Sequence, residues 1–329
     1  MQDRKKSSSI FNFNKKQQSF FKSVLVFFIP VVAAYTFVEV LVSQLPFQYT
    51  IIADYIASEG SKIDIITTGS SQMKCAVNPA FMKEPTLNFG STSQHHNTDY
   101  AIITQTHDKL KNVKCLVLEV SYSHFELPHN APTFWKNNVY LKYYDVNNFD
   151  RTTYFKDKLI FLSRPDIYTK ELTNHYLKKK TTSQFNRFGF DENNYNGSFK
   201  KSNYDEAKIP TVSSEINTSE SLQLFKHNTA FFFTFLDYLE ANHINVVLTS
   251  LPMHKYYLRD RNENILHRRD SILKVASERY KNVHIFRKEE DTLHFKTSDY
   301  INHNHLNPDG AKRYTEMLDT FIEANHLQQ

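Results

Sequence analysis

The chain has 329 residues, 40% of them hydrophobic, enough to bury one substantial core, so one large domain is expected rather than several small ones. Its net charge of +5 is already present in the first 22 residues, where Arg4, Lys5, Lys6, Lys15, Lys16 and Lys22 face only Asp3. The remainder is neutral overall, which leaves no basic face for a phosphate backbone and argues against a nucleic-acid partner.

Residues 1–22 read as a basic cytoplasmic tail. The apolar run at 23–45, from Ser23 through Glu39 to Leu45, is long enough to cross the ~30 Å hydrocarbon core of a bilayer. A positive N-terminal flank predicts a cytoplasmic N-terminus with the rest of the chain exported, so the expectation is a single-pass signal anchor in the inner (cytoplasmic) membrane. Pro30 kinks such a helix without excluding it. A buried soluble helix and a cleaved signal sequence are the alternatives. The length of the run and the lack of a small-x-small cleavage pattern before Gln44 favour the anchor.

Residues 46–61 read as a connecting segment, and 62–329 as one α/β domain. Strands are expected at 63–68, 86–89 and 115–120, with helices around 78–82 and 97–110 between them. Strands that alternate with helical segments indicate a parallel sheet. The alternation stops at a long insertion, 124–216, rich in Asn, Lys and Tyr, with charged helices near 157–162 and 168–179 and a loop at 186–197. It resumes with helices at 219–242, 264–280 and 308–324 and strands at 245–250 and 283–286. Cys75 and Cys115, the two cysteines, fall in positions that read as core and not as a disulfide or a metal site. The pairs His95-His96 and His303/His305 lack an acidic or cysteine partner at ligand spacing, and no metal or other cofactor is expected.

Four short stretches carry the chemistry. Ile65-Ile66-Thr67-Thr68 is a β-branched run that stops at Gly69-Ser70-Ser71, as a buried strand ending in a tight turn does. Asn88-Phe89-Gly90-Ser91-Thr92-Ser93 follows the second strand, and Ser121-Tyr122-Ser123 the third. His305 lies in Asn302-His303-Asn304-His305, just before an Asn-Pro-Asp-Gly turn that opens the last helix. Ligands of parallel sheets sit outside the carboxyl ends of the strands, where these stretches converge.

The order of these blocks resembles the SGNH (GDSL-like) hydrolase superfamily over roughly residues 62–125 and 243–325. The resemblance implies a three-layer α/β/α, flavodoxin-like fold, here with an N-terminal transmembrane helix and a long insertion. It implies Ser71 as nucleophile, His305 as base, and an oxyanion site at Ser71, Gly90, Ser93 and Ser123. Ser93 stands in a glycine position of the family, Ser123 in an asparagine position, and Asn302 in the position of the aspartate that orients the histidine. A serine hydroxyl needs a base within hydrogen-bond reach, and an imidazole titrating near neutrality suits that role. An amide at 302 can orient the ring but brings no charge. Asp299 or a backbone carbonyl are alternative orienters, and loss of catalysis is a third outcome. His254 and Lys255, after another strand, are candidate binding residues, and the insertion with Trp135, Tyr140, Tyr143 and Tyr144 is a candidate glycan-facing wall or, equally, a partner-docking surface.

The function implied is an extracytoplasmic acyl hydrolase or O-acetyltransferase working through an acyl-serine on a cell-surface or exported glycan, beside a membrane-bound O-acyltransferase. Two alternatives stay open: a D-alanyl transfer protein of the lipoteichoic acid type, and an inactive SGNH fold that binds glycan or scaffolds a complex.

Overall fold

The structure is a computed structural model that describes residues 14–180, 183–209 and 216–328. Arg4, Lys5 and Lys6 of the basic tail, and 210–215 of the insertion, lie outside the described residues. In chain order the helices are α1 (Lys15–Ser43), α2 (Gln48–Glu59), α3 (Ser71–Ala76), α4 (His96–Thr106), α5 (Asn137–Tyr144), α6 (Pro165–Leu172), α7 (Ser198–Lys201), α8 (Leu222–Ala241), α9 (Lys255–Arg259), α10 (Glu263–Arg279) and α11 (Pro308–Ala324). The strands are β1 (Ile65–Thr68), β2 (Thr86–Asn88), β3 (Cys115–Glu119), β4 (Asn245–Ser250), β5 (Val283–Arg287), β6 (Tyr300–Asn302) and β7 (His305–Leu306). They fall into two compact units, one made of Met1–Leu45 and Leu159–Lys179, the other of Pro46–Lys158 and Lys180–Gln329.

The first unit contains α1, whose mean hydropathy reaches 2.3 over an 18-residue window, long and apolar enough to cross a membrane. The helix starts eight residues before the expected boundary at 23, because Asn14 and Gln17 form a reciprocal capping box and the basic residues Lys15, Lys16 and Lys22 continue it. Pro30 is inside it. The segment 159–179 belongs to this unit, whereas the sequence placed it within the insertion of the α/β domain. The helix expected near 157–162 is instead two 3₁₀ turns, Phe155–Lys158 and Phe161–Ser163. The one expected at 168–179 is α6 followed by a π-helical turn, Thr173–Leu177.

In the second unit β1 to β5 form one parallel sheet in the order β2-β1-β3-β4-β5, the flavodoxin-like arrangement. Strand residues alternate between two cores. Ile66, Leu116, Leu118, Val246 and Leu248 face a cluster with residues of α2, α4, α8 and α10, while Ile65, Val117 and Val247 face one with residues of α3 and α11. Helices on both faces explain why the strands read as unbroken apolar runs. The expected connecting segment 46–61 proves to be α2. Its Ile52, Tyr55 and Ile56 are buried in the first cluster, each contributing roughly 1.5–3 kcal/mol by leaving water. Cys75 and Cys115 are free thiols. Arg269 of α10, 1% exposed, pairs with Glu289 and donates to Val120 O and Ser250 Oγ, tying α10 to the carboxyl ends of β3 and β4.

Candidate active site

At the end of β1 the chain turns abruptly into α3. Gly69 has φ +150°, and a Cβ there would fall 2.5 Å from Glu119 Cβ and Oε2, so the turn requires glycine. Ser70 caps α3 by accepting from the Gln72 N–H at 3.1 Å, which sets Ser71 as the first helical residue, outside the carboxyl edge of the sheet. Beneath this turn sits Glu119, the last residue of β3. It accepts from the Ser70 N–H at 2.7 Å, the Ser70 hydroxyl at 2.8 Å, the Met73 N–H at 3.3 Å and the Ser121 hydroxyl at 2.5 Å. Burial raises the Glu119 pKa, against the hydrogen bonds from Ser121 and Ser70. The sequence reading missed this residue. Its signal was an acid closing an otherwise apolar strand, Leu116-Val117-Leu118-Glu119.

His305 arrives on a two-stranded antiparallel ribbon in which Asn302 pairs with His305. Asn307 caps α11 through the Asp309 and Gly310 N–H groups. Gly310 lets α11 approach the ribbon, since a Cβ there would lie 2.3 Å from Asp299 O. Thr315 of α11 accepts from the Asn78 N–H and donates to Ala76 O, which holds α11 against the end of α3. The two arms therefore share one rigid support.

Across that support His305 Nε2 lies 2.8 Å from Ser71 Oγ, and His305 Nδ1 lies 3.0 Å from Asn302 Oδ1. The orientation of the Asn302 amide follows from a third contact. The Asn304 N–H, which can only donate, points at the same Oδ1 at 3.1 Å. An oxygen there accepts the Nδ1–H of His305 and leaves the Nε2 lone pair facing the Ser71 hydroxyl, the tautomer a general base needs. Desolvation, reinforced by the nearby Lys74 charge, lowers the His305 pKa to about 4, so the ring is neutral at pH 7. Asp299 does not orient it: its carboxylate accepts from the Lys296 N–H at 2.8 Å and closes its own turn.

The loop after β2 brings Ser93 to the site with φ +60°, the left-handed conformation in which glycine is easier than serine by ~1–2 kcal/mol. Asn130 Nδ2 donates to Ser93 O at 2.7 Å, and the buried Lys136, its pKa lowered by desolvation to about 7, donates to Ser91 Oγ and Thr92 O. The start of the insertion thus fixes this loop. Among the described residues no acceptor takes the N–H of Ser71 or of Ser93, as an oxyanion hole requires. Gly90 cannot serve in that way. Its N–H donates to Asn88 Oδ1 at 2.8 Å, and its lack of a side chain is needed where a Cβ would lie 2.6 Å from Lys74 N.

Ser93 and Ser123 line a cavity of about 510 Å³ beside the Gly69-Ser70-Ser71 turn, together with Ser70, Gln72, Glu119, Ser121, Asn130 and Asn304. Among the described residues no lysine or arginine lines it. His254 and Lys255 line a separate cavity of about 530 Å³, with Glu206 and Thr297, so the structure does not bring them to Ser71. Of the expected aromatic wall, Tyr140 and Tyr144 are buried in the core beside Tyr49.

His95, His124 and His129 line the first cavity, and His95 and His124 form with His96 a cluster that the sequence reading did not assemble. Nitrogens of His95, His96 and His124 lie within 4.8 Å of one another. Both His95 nitrogens are engaged, Nδ1 by the His96 N–H and Nε2 by His124 O. His96 donates from Nε2 to Glu119 O and stacks on His124 at 4.1 Å with 5° between planes. In a face-to-face stack the lone pairs run parallel instead of converging on one ion, which disfavours metal ligation. Burial lowers the pKa of His96 and His129 to about 4, and it lowers those of His95 and His124 well below the usual imidazole value.

No protein-family model matches the chain, and no curated protein matches it. Among solved structures, a GDSL-like lipase from Bacteroides thetaiotaomicron VPI-5482 is similar at 10% identity and a TM-score of 0.38, over 84% of this chain and 99% of that one. A TM-score at that level leaves function, and kinship within a family, to the geometry of the site itself.

Proposed function

We propose that the protein is a serine acyl hydrolase or acyltransferase of SGNH type, anchored in the cytoplasmic membrane by α1 with its α/β unit outside. The observation that carries this reading is the Ser71–His305–Asn302 chain of contacts at 2.8 and 3.0 Å, with the amide turned to give the base-competent tautomer. Ser71 Oγ attacks an acyl carbonyl while its proton passes to His305 Nε2. The oxyanion is met by the N–H groups of Ser71 and Ser93, and the leaving oxygen takes the proton back from His305. An acceptor hydroxyl then repeats the sequence in reverse, with water giving hydrolysis and a sugar giving transfer.

The adjoining cavity, lined by hydroxyls, amides, imidazoles and the Glu119 carboxyl with no lysine or arginine among the described residues, suits a polyhydroxylated acceptor, a cell-surface or exported glycan, better than a polyphosphate. This favours glycan O-acetylation, with a membrane-bound O-acyltransferase as acyl donor, over transfer to a teichoic acid. A second reading, an inactive glycan-binding fold, draws on the uncharged Asn302 beside a weakly basic His305. Hydrolysis of p-nitrophenyl acetate by the full chain in detergent separates the two. The enzyme reading expects turnover that Ser71→Ala and His305→Ala each remove. Equal rates in all three proteins leave the binding fold.

A further inference from the structure

The segment Leu159–Lys179 interrupts the α/β unit, and no step of the proposed chemistry uses it. Its clearest feature is what it does to Glu39. A carboxylate near the end of an apolar helix is costly at a membrane unless it is paired or hydrogen-bonded. Glu39 is 6% exposed, and it accepts from the Ile160 N–H at 3.2 Å, the Phe161 N–H at 2.8 Å and the Tyr35 hydroxyl at 2.7 Å. Phe161 sets its ring edge-on to Tyr35 at 6.4 Å. At the far end of the segment the Tyr176 hydroxyl donates to Leu41 O at 3.2 Å. The segment is thus fastened at both ends to the last turns of α1.

What it turns outward is unlike an ordinary solvated loop. Leu162 is 61% exposed and Leu177 is 79% exposed, and Leu177 is followed directly by the exposed run Lys178-Lys179-Lys180. About 20 apolar residues span the hydrocarbon. The uncharged stretch of α1 between Lys22 and Glu39 covers most of that length, so Glu39 and the turns that hold the segment fall at the membrane–water boundary. Tyrosines and exposed leucines beside a lysine run are the composition of a surface that lies in that boundary, with lysines against anionic headgroups.

We propose that residues 159–179 form a foot that rests on the bilayer surface at the C-terminal end of α1, with Leu162 and Leu177 dipping below the headgroups and Lys178-Lys179-Lys180 binding anionic phospholipid. Glu39 is the latch that holds the foot to the anchor. The proposal rests on the reading of α1 as a membrane span, and its test separates the two.

The full chain, on a Cys75→Ala background with Cys115 fully buried, is placed in nanodiscs of phosphatidylcholine with or without phosphatidylglycerol. Nitroxides are attached at Val31→Cys, Leu162→Cys, Leu177→Cys and the exposed Thr169→Cys. Accessibility to oxygen and to a water-soluble nickel chelate is then read by electron paramagnetic resonance. The expectation is a deep signal at Val31, shallow but shielded signals at Leu162 and Leu177, and a water-exposed signal at Thr169. Shielding of Leu162 and Leu177 should be several-fold stronger with the anionic lipid, and that increment should vanish in the Lys178→Gln, Lys179→Gln, Lys180→Gln variant. If Val31 is deep while Leu162 and Leu177 are as open to nickel as Thr169, the foot is wrong and the anchor stands. Nickel access at Val31 overturns the anchor and the foot together. Shielding that is indifferent to lipid charge and to the lysines overturns the anionic-lipid assignment.

Discussion

Asn302→Asp is the most informative single substitution, because it changes the charge behind His305 and nothing else. The carboxylate keeps both acceptor contacts of Asn302 Oδ1, the Asn304 N–H at 3.1 Å and the His305 Nδ1–H at 3.0 Å. Two unit charges about 4 Å apart at an effective dielectric of ~20 interact by roughly 4 kcal/mol, equivalent to about three pKa units. The negative charge favours imidazolium, so the His305 pKa should rise from about 4 to roughly 7. If half of that charge has developed in the transition state, about 2 kcal/mol is gained, or ~30-fold in kcat/KM at pH 8. This is well short of the ~10⁴-fold seen when an amide replaces the aspartate of a serine protease, where the amide also imposes the wrong tautomer. Here the tautomer is already right. The sign reverses in acid. At pH 5 the wild-type ring is mostly neutral, whereas the variant's is ~99% protonated, so the variant should be the slower of the two. Rates of p-nitrophenyl acetate hydrolysis from pH 4 to 9 read both limbs. An acid limb that does not move, or a variant that is slower at every pH, would refute the tautomer assignment.

Asp99 is fully buried, accepts from Thr68 Oγ1 at 2.6 Å and Gln94 Nε2 at 2.7 Å, and has its pKa raised by desolvation from 3.8 to about 7. A carboxyl raised in the folded state ionises first in the unfolded chain, so stability falls as pH rises from about 4 to 7, by about 4 kcal/mol at most. The buried histidines, lowered in the folded state, act in the opposite direction, so Asp99→Asn should cancel only the Asp99 part, read as the variant-minus-wild-type difference in urea midpoint against pH. Arg269→Ala removes the buried guanidinium that pairs with Glu289, leaving Arg287 Nη2 at 2.7 Å as that carboxylate's remaining close partner, and should cost up to ~3–5 kcal/mol in the same assay. Gly69→Ala forces a Cβ onto Glu119 and should abolish turnover; ester hydrolysis within two-fold of wild type would show that the turn tolerates it.

The parallel sheet was legible because each strand is an apolar run closed by a turn signal, and buried strands with helices on both faces must read that way. Ser71 stands where such a run meets a helix cap, whereas His305 follows the polar Asn302-His303-Asn304 and was marked only by its place before the Asn307 cap and by the resemblance of the block order. The start of α11 follows from Asn307 and Pro308, an N-cap and a first-turn proline, which are local signals. Elsewhere the determinants are distant in sequence. The placing of 159–179 with α1 depends on hydrogen bonds from the Ile160 and Phe161 amides to Glu39, across more than a hundred residues. α2 was hidden because Pro46 and a short apolar pattern look like a linker until Ile52, Tyr55 and Ile56 meet their core. Gly90 was misassigned because the same residue type serves a close backbone approach to α3 as serves an oxyanion donor. Glu119 and the histidine cluster come from strand ends that only the sheet order brings together.

In the proposed reaction Ser71 forms a covalent acyl intermediate with His305 as its base. Intact-mass spectrometry of the full chain, quenched in acid seconds after mixing with an activated acetyl ester, measures that directly. The wild type should gain one acetyl group that peptide mapping places on Ser71, absent from Ser71→Ala and much reduced in His305→Ala. No adduct in the wild type, or an adduct of equal size in Ser71→Ala, would contradict it.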